Sequence, residues 1–184
     1  PKYLLTVADG DCLFEKAANL YVDETDVHFV ILKEHAVKYD AEIAISKACG
    51  WRDNVFIHIL DNPTTGPAET SYHVAKKLGD EPILIQDCDS FFTCALSDEN
   101  YVCTVNLREN LDVANVAAKS FAVTNEQGVL TNIVEKSVVS NNICVGGYGF
   151  KTASMFCESF ERLTETVKGE IFVSHIIKEL LSTN

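Results

Sequence analysis

The feature that most constrains this chain is an alternation between two apolar periods in its first half. Residues 27–32, "VHFVIL", are a β-branched apolar run that reads as a buried strand. In residues 33–50, "KEHAVKYDAEIAISKACG", Val37, Ala41, Ala44, Ile45 and Ala48 recur near helical spacing, and Gly50 suits a helix stop. Residues 54–60, "NVFIHIL", are the next strand, and Pro63, Gly66 and Pro67 in "NPTTGP" mark a loop. "AETSYHVAKKLG" at 68–79 is a second helix, and "PILIQD" at 82–87 a third strand. Strand, helix, strand, helix, strand calls for parallel pairing through right-handed crossovers.

The second half changes character. "YVCTVNL" (101–107), "KSFAVT" (119–124), "VLTNIVEKS" (129–137) and "ICVGGYGF" (143–150) are strands with short polar links, and "TNEQG" between two of them is a hairpin turn. Helices over 152–166 and 172–181 close the chain. The fold class is therefore α/β: a Rossmann-like mixed sheet, parallel in its first half with an antiparallel extension, flanked by helices. Open α/β sheets usually place their first strand at the centre, followed by a phosphate-binding loop. Nothing of that kind stands before "PKYLLTV". Either the fold dispenses with that strand or the chain as given starts after it.

Composition narrows the classes. Apolar residues make up 47% and charged residues 23%, the profile of a globular domain, and no apolar run approaches the length of a membrane helix. The opening residues lack the charged lead and apolar block of a secretory signal. A net charge of −12 argues against nucleic acid as a partner, so an anionic substrate would need a few local lysines or a divalent cation. The seven cysteines include no C-x-x-C pair, which removes zinc-ligand spacing. They read as reduced thiols of a cytoplasmic protein.

Four stretches carry candidate chemistry. In "PILIQDCDSFF" a buried strand runs into Asp87 and Asp89. On an extended segment both carboxylates would face one side, beyond a strand's carboxyl end, where open α/β sheets bind ligands. Mg²⁺ takes oxygen ligands of this kind; an ordinary acidic turn is the alternative. In "NPTTGPAETSYHVAKKL" a glycine turn opens a helix whose free N–H groups favour acceptors, and Gly66 would let a flat ring approach; a plain helix cap is the alternative. In "NIVEKSVVSNNICVGGYGF", Glu135 and Lys136 end a strand, as a surface pair or as ligand contacts. Gly146 and Gly147 lie inside a strand, as a bulge or as a site of close approach. Lys2 in "PKYLL" could point toward the same crevice.

Taken in order, "PKYLLTVADGDCLFEKA", "TTGPAET", "ILIQDCDSFF" and "IVEKSVVSNNICVGGYGF" resemble the sugar nucleotidyltransferase family, the nucleoside-diphosphate-sugar pyrophosphorylases of glycosyltransferase-A-like fold. "GEIFVSHIIKELL" resembles the family segment near the end of its catalytic core, so the resemblance spans nearly the whole chain. It implies a single nucleotidyltransferase domain over residues 1–184 that lacks its N-terminal strand and glycine-rich loop. It also implies a Mg²⁺-dependent cytoplasmic enzyme that joins a nucleoside triphosphate to a sugar 1-phosphate or similar phosphorylated alcohol. Pyrophosphate is released, and the product serves polysaccharide synthesis. The partners implied are these small molecules, with no nucleic acid and no membrane; assembly into a homo-oligomer is left open.

Residue by residue, Lys2 matches the lysine of the P-K-x-L motif, which contacts substrate phosphates. Gly66, with Thr65 beside it, matches the base-contacting loop. Asp87 matches the aspartate that ligates Mg²⁺, and Asp89 is a helper. Glu135 matches the acid that holds sugar hydroxyls, Lys136 the lysine that meets the sugar phosphate, and Gly146 or Gly147 the strand glycine beside the sugar. Lys2, Asp87 and Lys136 are then the catalytic set.

The chain also departs from the family pattern. The G-x-G-x-R loop is expected just before Pro1. Asp61 stands where several members carry a base-reading glutamine, and a carboxylate cannot donate a hydrogen bond as an amide can. "VADGDCLF" replaces G-K-P-L-L, and a later acidic metal ligand has no clear match. Two other classes remain open. A glycosyltransferase of similar fold would use "DCD" to hold a nucleotide sugar. A non-catalytic relative would bind a nucleotide sugar without turning it over.

Overall fold

A computed structural model describes residues 1–18, 21, 23, 25–110 and 115–183. The elements begin with a 3-10 turn at Lys2–Leu4, then helix α1 (Leu13–Ala18), strand β1 (Val27–Leu32), helices α2 (Lys33–Tyr39) and α3 (Ala41–Ala48), and strand β2 (Val55–Leu60). Helix α4 (Pro67–Ala75) and strands β3 (Ile83–Gln86) and β4 (Tyr101–Asn106) follow. After a 3-10 turn at Val116–Ala118 come β5 (Phe121–Thr124), β6 (Leu130–Val134), β7 (Asn142–Phe150), α5 (Ala153–Thr166) and α6 (Val173–Thr183). Two compact units result: Pro1–Thr64 with Gln86–Thr93, and Thr65–Ile85 with Cys94–Asn184.

In the first unit β1 and β2 pair in parallel, in register from Val27↔Val55 to Leu32↔Leu60. Alternate side chains Val27, Phe29, Ile31, Val55 and Ile57 share one face, as a period of two requires, and pack on Phe14, Ala41, Ile45 and Cys49. Ala41, Ile45 and Cys49 are four residues apart, so one stripe of α3 meets the sheet. The single helix expected over 33–50 is two: Asp40 adopts a left-handed φ of 49° and separates α2 from α3. Aspartate tolerates that conformation better than most residues, and helical periodicity on both sides hides the break. The acidic turn "ADGD" is answered from α1, where Lys16 Nζ lies 2.5 Å from Asp9 and 2.8 Å from Asp11.

The second unit holds the other sheet, in the order β3-β7-β5-β6 with β4 also on β7. β4–β7, β5–β6 and β5–β7 are antiparallel, which is the expected extension. The parallel half ends sooner than expected: β3 pairs with β7 instead of continuing the β1–β2 pair. A local pattern sets that a segment is a strand; its partner is chosen by long-range pairing. The hairpin turn read over 124–128 forms after Thr124, the last residue of β5, with Gly128 at φ +80° and Asn125 Oδ1 accepting from the N–H groups of Gln127 and Val129. β7 is the buried spine, and its Phe150 shares one core cluster with Phe156 and Ile176, all three fully shielded from solvent. Helix α5 starts where Thr152 caps it, its hydroxyl accepting from Met155 N–H at 3.1 Å. Arg162 Nε on α5 donates to Glu179 Oε1 on α6 at 2.6 Å.

Candidate functional site

In the first unit the sequence positions Lys2, Asp61, Asp87 and Asp89. Asp87 directly follows β3. The segment beyond it is not extended: Ser90 N–H donates to the Asp87 carbonyl at 3.2 Å, and Gln86 Nε2 donates to the Ser90 carbonyl at 3.0 Å. Residues 87–90 are thus a tight turn, with aspartate in a first position that it favours. The expectation that both carboxylates share one side of a strand fails for this reason. What the turn does is bring Asp89 to Lys2. Lys2 Nζ, from the 3-10 turn at the chain's start, donates to Asp89 Oδ2 across 87 positions of sequence. That hydrogen bond and the charge of Asp89 raise the Lys2 pKa, and Asp87 adds to the effect. Lys2 is 67% exposed and Asp89 28%.

Asp61 follows β2 just as Lys33 follows β1, and the parallel register places them side by side. Lys33 Nζ donates to Asp61 Oδ1 at 2.8 Å. The pair holds the Asp61 carboxyl below its usual range and engages it with a cation. Asp61 is therefore an ion-pair member at the carboxyl edge of the parallel strands.

The second unit holds the other candidates. Thr65 N–H and Oγ1 both donate to Glu69 Oε2 at 2.6 Å, which lowers the Glu69 pKa and fixes the first turn of α4. Gly66 caps that helix with an extended φ of 173°. A Cβ here would lie 2.9 Å from the Ile171 carbonyl oxygen and 2.9 Å from Glu170 Cγ. Ala68 N–H donates to the same Ile171 carbonyl at 3.2 Å. Close backbone approach is thus the reason for glycine, and the approaching group in this structure is the chain itself.

Gly146 and Gly147 fall in the irregular part of the β4–β7 ladder, between the pairs Val102↔Tyr148 and Thr104↔Cys144. Gly146 has φ +87°, which a side chain rarely adopts, and this is the bulge alternative in structural form. Glu135 and Lys136 follow β6 directly. Lys136 has φ 53°, and its Nζ sits 4.1 Å from the centre of the Phe172 ring. The Glu135 carboxylate accepts from two serines at one oxygen: Ser120 Oγ and, at 2.5 Å, Ser174 Oγ both donate to Oε2. His175, the next residue on α6, packs edge-on against Phe172 with ring centres 5.4 Å apart, and its Nδ1 accepts from Phe172 N–H at 3.3 Å. Burial pushes the His175 pKa down, while the Glu135 charge pulls it up.

No protein-family model matches the chain, and no curated protein matches it in sequence. Solved structures do. A nucleoside-diphosphate-sugar pyrophosphorylase from Vibrio cholerae RC9 aligns with all of this chain and 80% of its own, at TM-score 0.78 and 21% identity. The inositol-1-phosphate CTP transferase from T. maritima aligns with all of this chain and 74% of its own, at TM-score 0.74 and 13% identity. A UTP-bound UGPase from Acinetobacter baumannii aligns with all of this chain and 76% of its own, at TM-score 0.66 and 15% identity.

The fold is that of the sugar nucleotidyltransferases. At these identities the likeness speaks for the fold alone, and it agrees with the family resemblance read from the four motifs.

On this fold the chemistry of the Asp87 corner suits a hard divalent cation. Two carboxylates stand one residue apart, and the preceding Gln86 Oε1 is buried without a hydrogen-bond partner, so the donors are all oxygen. No group of three or more His, Cys, Asp or Glu side chains able to hold a metal occurs among the described residues. A cation here would take its remaining ligands from phosphate oxygens and water, as Mg²⁺ usually does.

Sequence reasoning missed Ser120, Ser174 and His175. Ser174 did carry a signal: it is a polar residue on the face of α6 that otherwise buries Val173, Ile176, Ile177 and Leu180, and it is 2% exposed. None of the cysteines is disulfide-bonded, and burial pushes Cys103 and Cys144 up to about 12. Among the described residues no helix is long and apolar enough to cross a membrane.

Proposed function

We propose that the protein transfers a nucleotidyl group from a nucleoside triphosphate to a sugar 1-phosphate or a similar phosphorylated alcohol, releasing pyrophosphate, with Mg²⁺ held by Asp87 and Asp89. The observation that carries this reading is the pairing of Lys2 with Asp89 beside Asp87. A phosphate-binding cation and two metal-type carboxylates, distant in sequence, meet at one corner of a nucleotidyltransferase fold.

The reaction needs no protein nucleophile. An oxygen of the acceptor phosphate bonds to the α-phosphorus of the triphosphate while the bond to pyrophosphate breaks, so catalysis is positioning plus charge neutralisation. In the first unit Lys2 binds triphosphate oxygens, exchanging one anionic partner for another. In the second, Glu135 accepts from an acceptor hydroxyl and Lys136 meets the acceptor phosphate. Thr65 and Gly66 present the α4 end to the base. Gly146 or Gly147 is the strand glycine beside the sugar, as the family resemblance implies. When bound, Mg²⁺ supplies charge neutralisation of the triphosphate. The names of the structural neighbours, one bound to UTP and one using CTP, support a nucleoside triphosphate as donor. We place the product in polysaccharide synthesis and the enzyme in the cytoplasm.

The test is a coupled pyrophosphate assay with each common triphosphate and a panel of sugar and polyol phosphates. Metal-dependent pyrophosphate release with one pair is the expected result. Release of a nucleoside diphosphate from a nucleotide sugar would show a glycosyltransferase instead, and binding without turnover would show a sensor.

A further inference from the structure

We propose that Ser120 and Ser174 are positioning residues that lock Glu135, so that only its Oε1 is offered to a hydroxyl of the phosphorylated acceptor. This rests on the nucleotidyltransferase reading, which gives Glu135 to the acceptor. A carboxylate has about four acceptor positions and turns readily about its last bond. Here two hydroxyls from different elements fill one oxygen. Ser120 immediately precedes β5, and Ser174 lies in the first turn of α6. Both serines are buried, at 6% and 2% exposure, so water does not compete for their single protons. Both donate to Oε2, and Oε1 accepts no hydrogen bond from any described residue.

The choice of serine is informative. Alanine would fill the apolar face of α6 without burying a hydroxyl, which is unfavourable unless it is bonded. Serine donors fix the carboxylate without bringing a counter-charge, as a lysine partner would. Oε1 is then a full-strength acceptor in a set orientation, suited to a substrate O–H and poorly suited to a phosphate. Lys136, the adjacent residue, holds its ammonium over Phe172 and supplies the cation for the phosphate end. Hydroxyl recognition and phosphate recognition thus stand on neighbouring residues of one turn. The ligand class that fits is a polyol or sugar phosphate with at least one free hydroxyl.

Ser174→Ala and Ser120→Ala test this by steady-state kinetics with glucose 1-phosphate and inositol 1-phosphate. The expected result is a KM for the acceptor raised about tenfold, kcat within about twofold and an unchanged KM for the triphosphate. Ser174→Thr, which keeps the hydroxyl, restores the acceptor KM. A folded alanine variant with the wild-type acceptor KM overturns the proposal, as does an equal loss in both KM values and kcat. Ser120 is on a different element, so it gives the same reading should Ser174→Ala not fold. If the wild-type protein turns over no substrate pair, the proposed reaction fails, and calorimetric titration with the same two phosphates decides the serine lock separately. Tenfold weaker binding by the alanine variants then supports it; equal affinity, or no binding to the wild type, overturns it.

Discussion

The Asp89 and Glu135 carboxylates are held in opposite ways. Asp89 is met by a lysine that is two-thirds exposed, so its partner is a cation in contact with water. Glu135 is met by two buried neutral hydroxyls on fixed elements. An exposed ion pair contributes little to stability and exchanges partners easily. Removing a carboxylate that satisfies buried hydroxyls is costly, because it leaves them without a partner. Under the proposed reaction, charge that lets go and regrips phosphate during turnover belongs in the first setting. Under the same proposal, an acceptor that recognises one hydroxyl belongs in the second. The largest expected effect tests the first. Asp87→Asn removes the negative charge with little change in shape, and metal-dependent pyrophosphate release falls by about a hundredfold or more. The thermal midpoint moves little, because Asp87 is exposed. Turnover that survives this change would remove the metal from the corner.

The second test sets the two carboxylates against each other in stability. Glu135→Ala strands two buried hydroxyls and lowers stability by about 2 kcal/mol. For a chain of this size that is a fall of roughly four to eight degrees in thermal midpoint. Asp89→Ala breaks a largely solvated pair and costs less than about 1 kcal/mol. Only the Asp89 effect shrinks further in concentrated salt, where exposed pairs are screened. Equal losses in the two variants would erase the distinction.

What was legible in the sequence follows the same divide. Asp87, Glu135 and Lys136 stood out because each follows an apolar run with clear periodicity, and β3 and β6 do end at those points. The β strands and the last two helices were legible for the same reason: their periods are local. The turn at 87–90 was not, because Asp-Cys-Asp-Ser suits a strand end and a turn equally, and a bond from Ser90 N–H to the Asp87 carbonyl decides between them. The pairing of β3 with β7 and the break at Asp40 were missed because neither changes apolar spacing. Gly66 was singled out for close approach, and the approach is real, but the approaching group is the Ile171 backbone, more than 100 positions away in sequence. Ser120 and Ser174 are unremarkable in isolation. They acquire meaning only when β5 and α6 deliver them to one oxygen.

The smallest expected effect separates the two regions by pH. His175 stands beside Ser174, and burial is the main cause holding its imidazole below the ordinary 6.5, with the Glu135 charge opposing. A histidine with a depressed pKa is favoured neutral by the folded state. Its contribution to stability is therefore fully present above about 6.5 and is lost as pH falls through the folded value. Lys2 moves the other way: its pKa is raised from 10.5, so it keeps its charge throughout this window. Acidification from pH 7.5 to 5.5 should thus weaken the α6 region while leaving the Lys2 charge in place. Thermal midpoints measured across that range fall for the wild type, and His175→Gln falls less, by no more than about two degrees of difference. Adding Glu135→Gln to the wild type removes the charge that opposes burial, so the His175 pKa drops further and its part of the fall grows deeper and extends to lower pH. If His175→Gln shows the same pH profile as the wild type, the acid response lies elsewhere, and the link from Glu135 through α6 to His175 is broken.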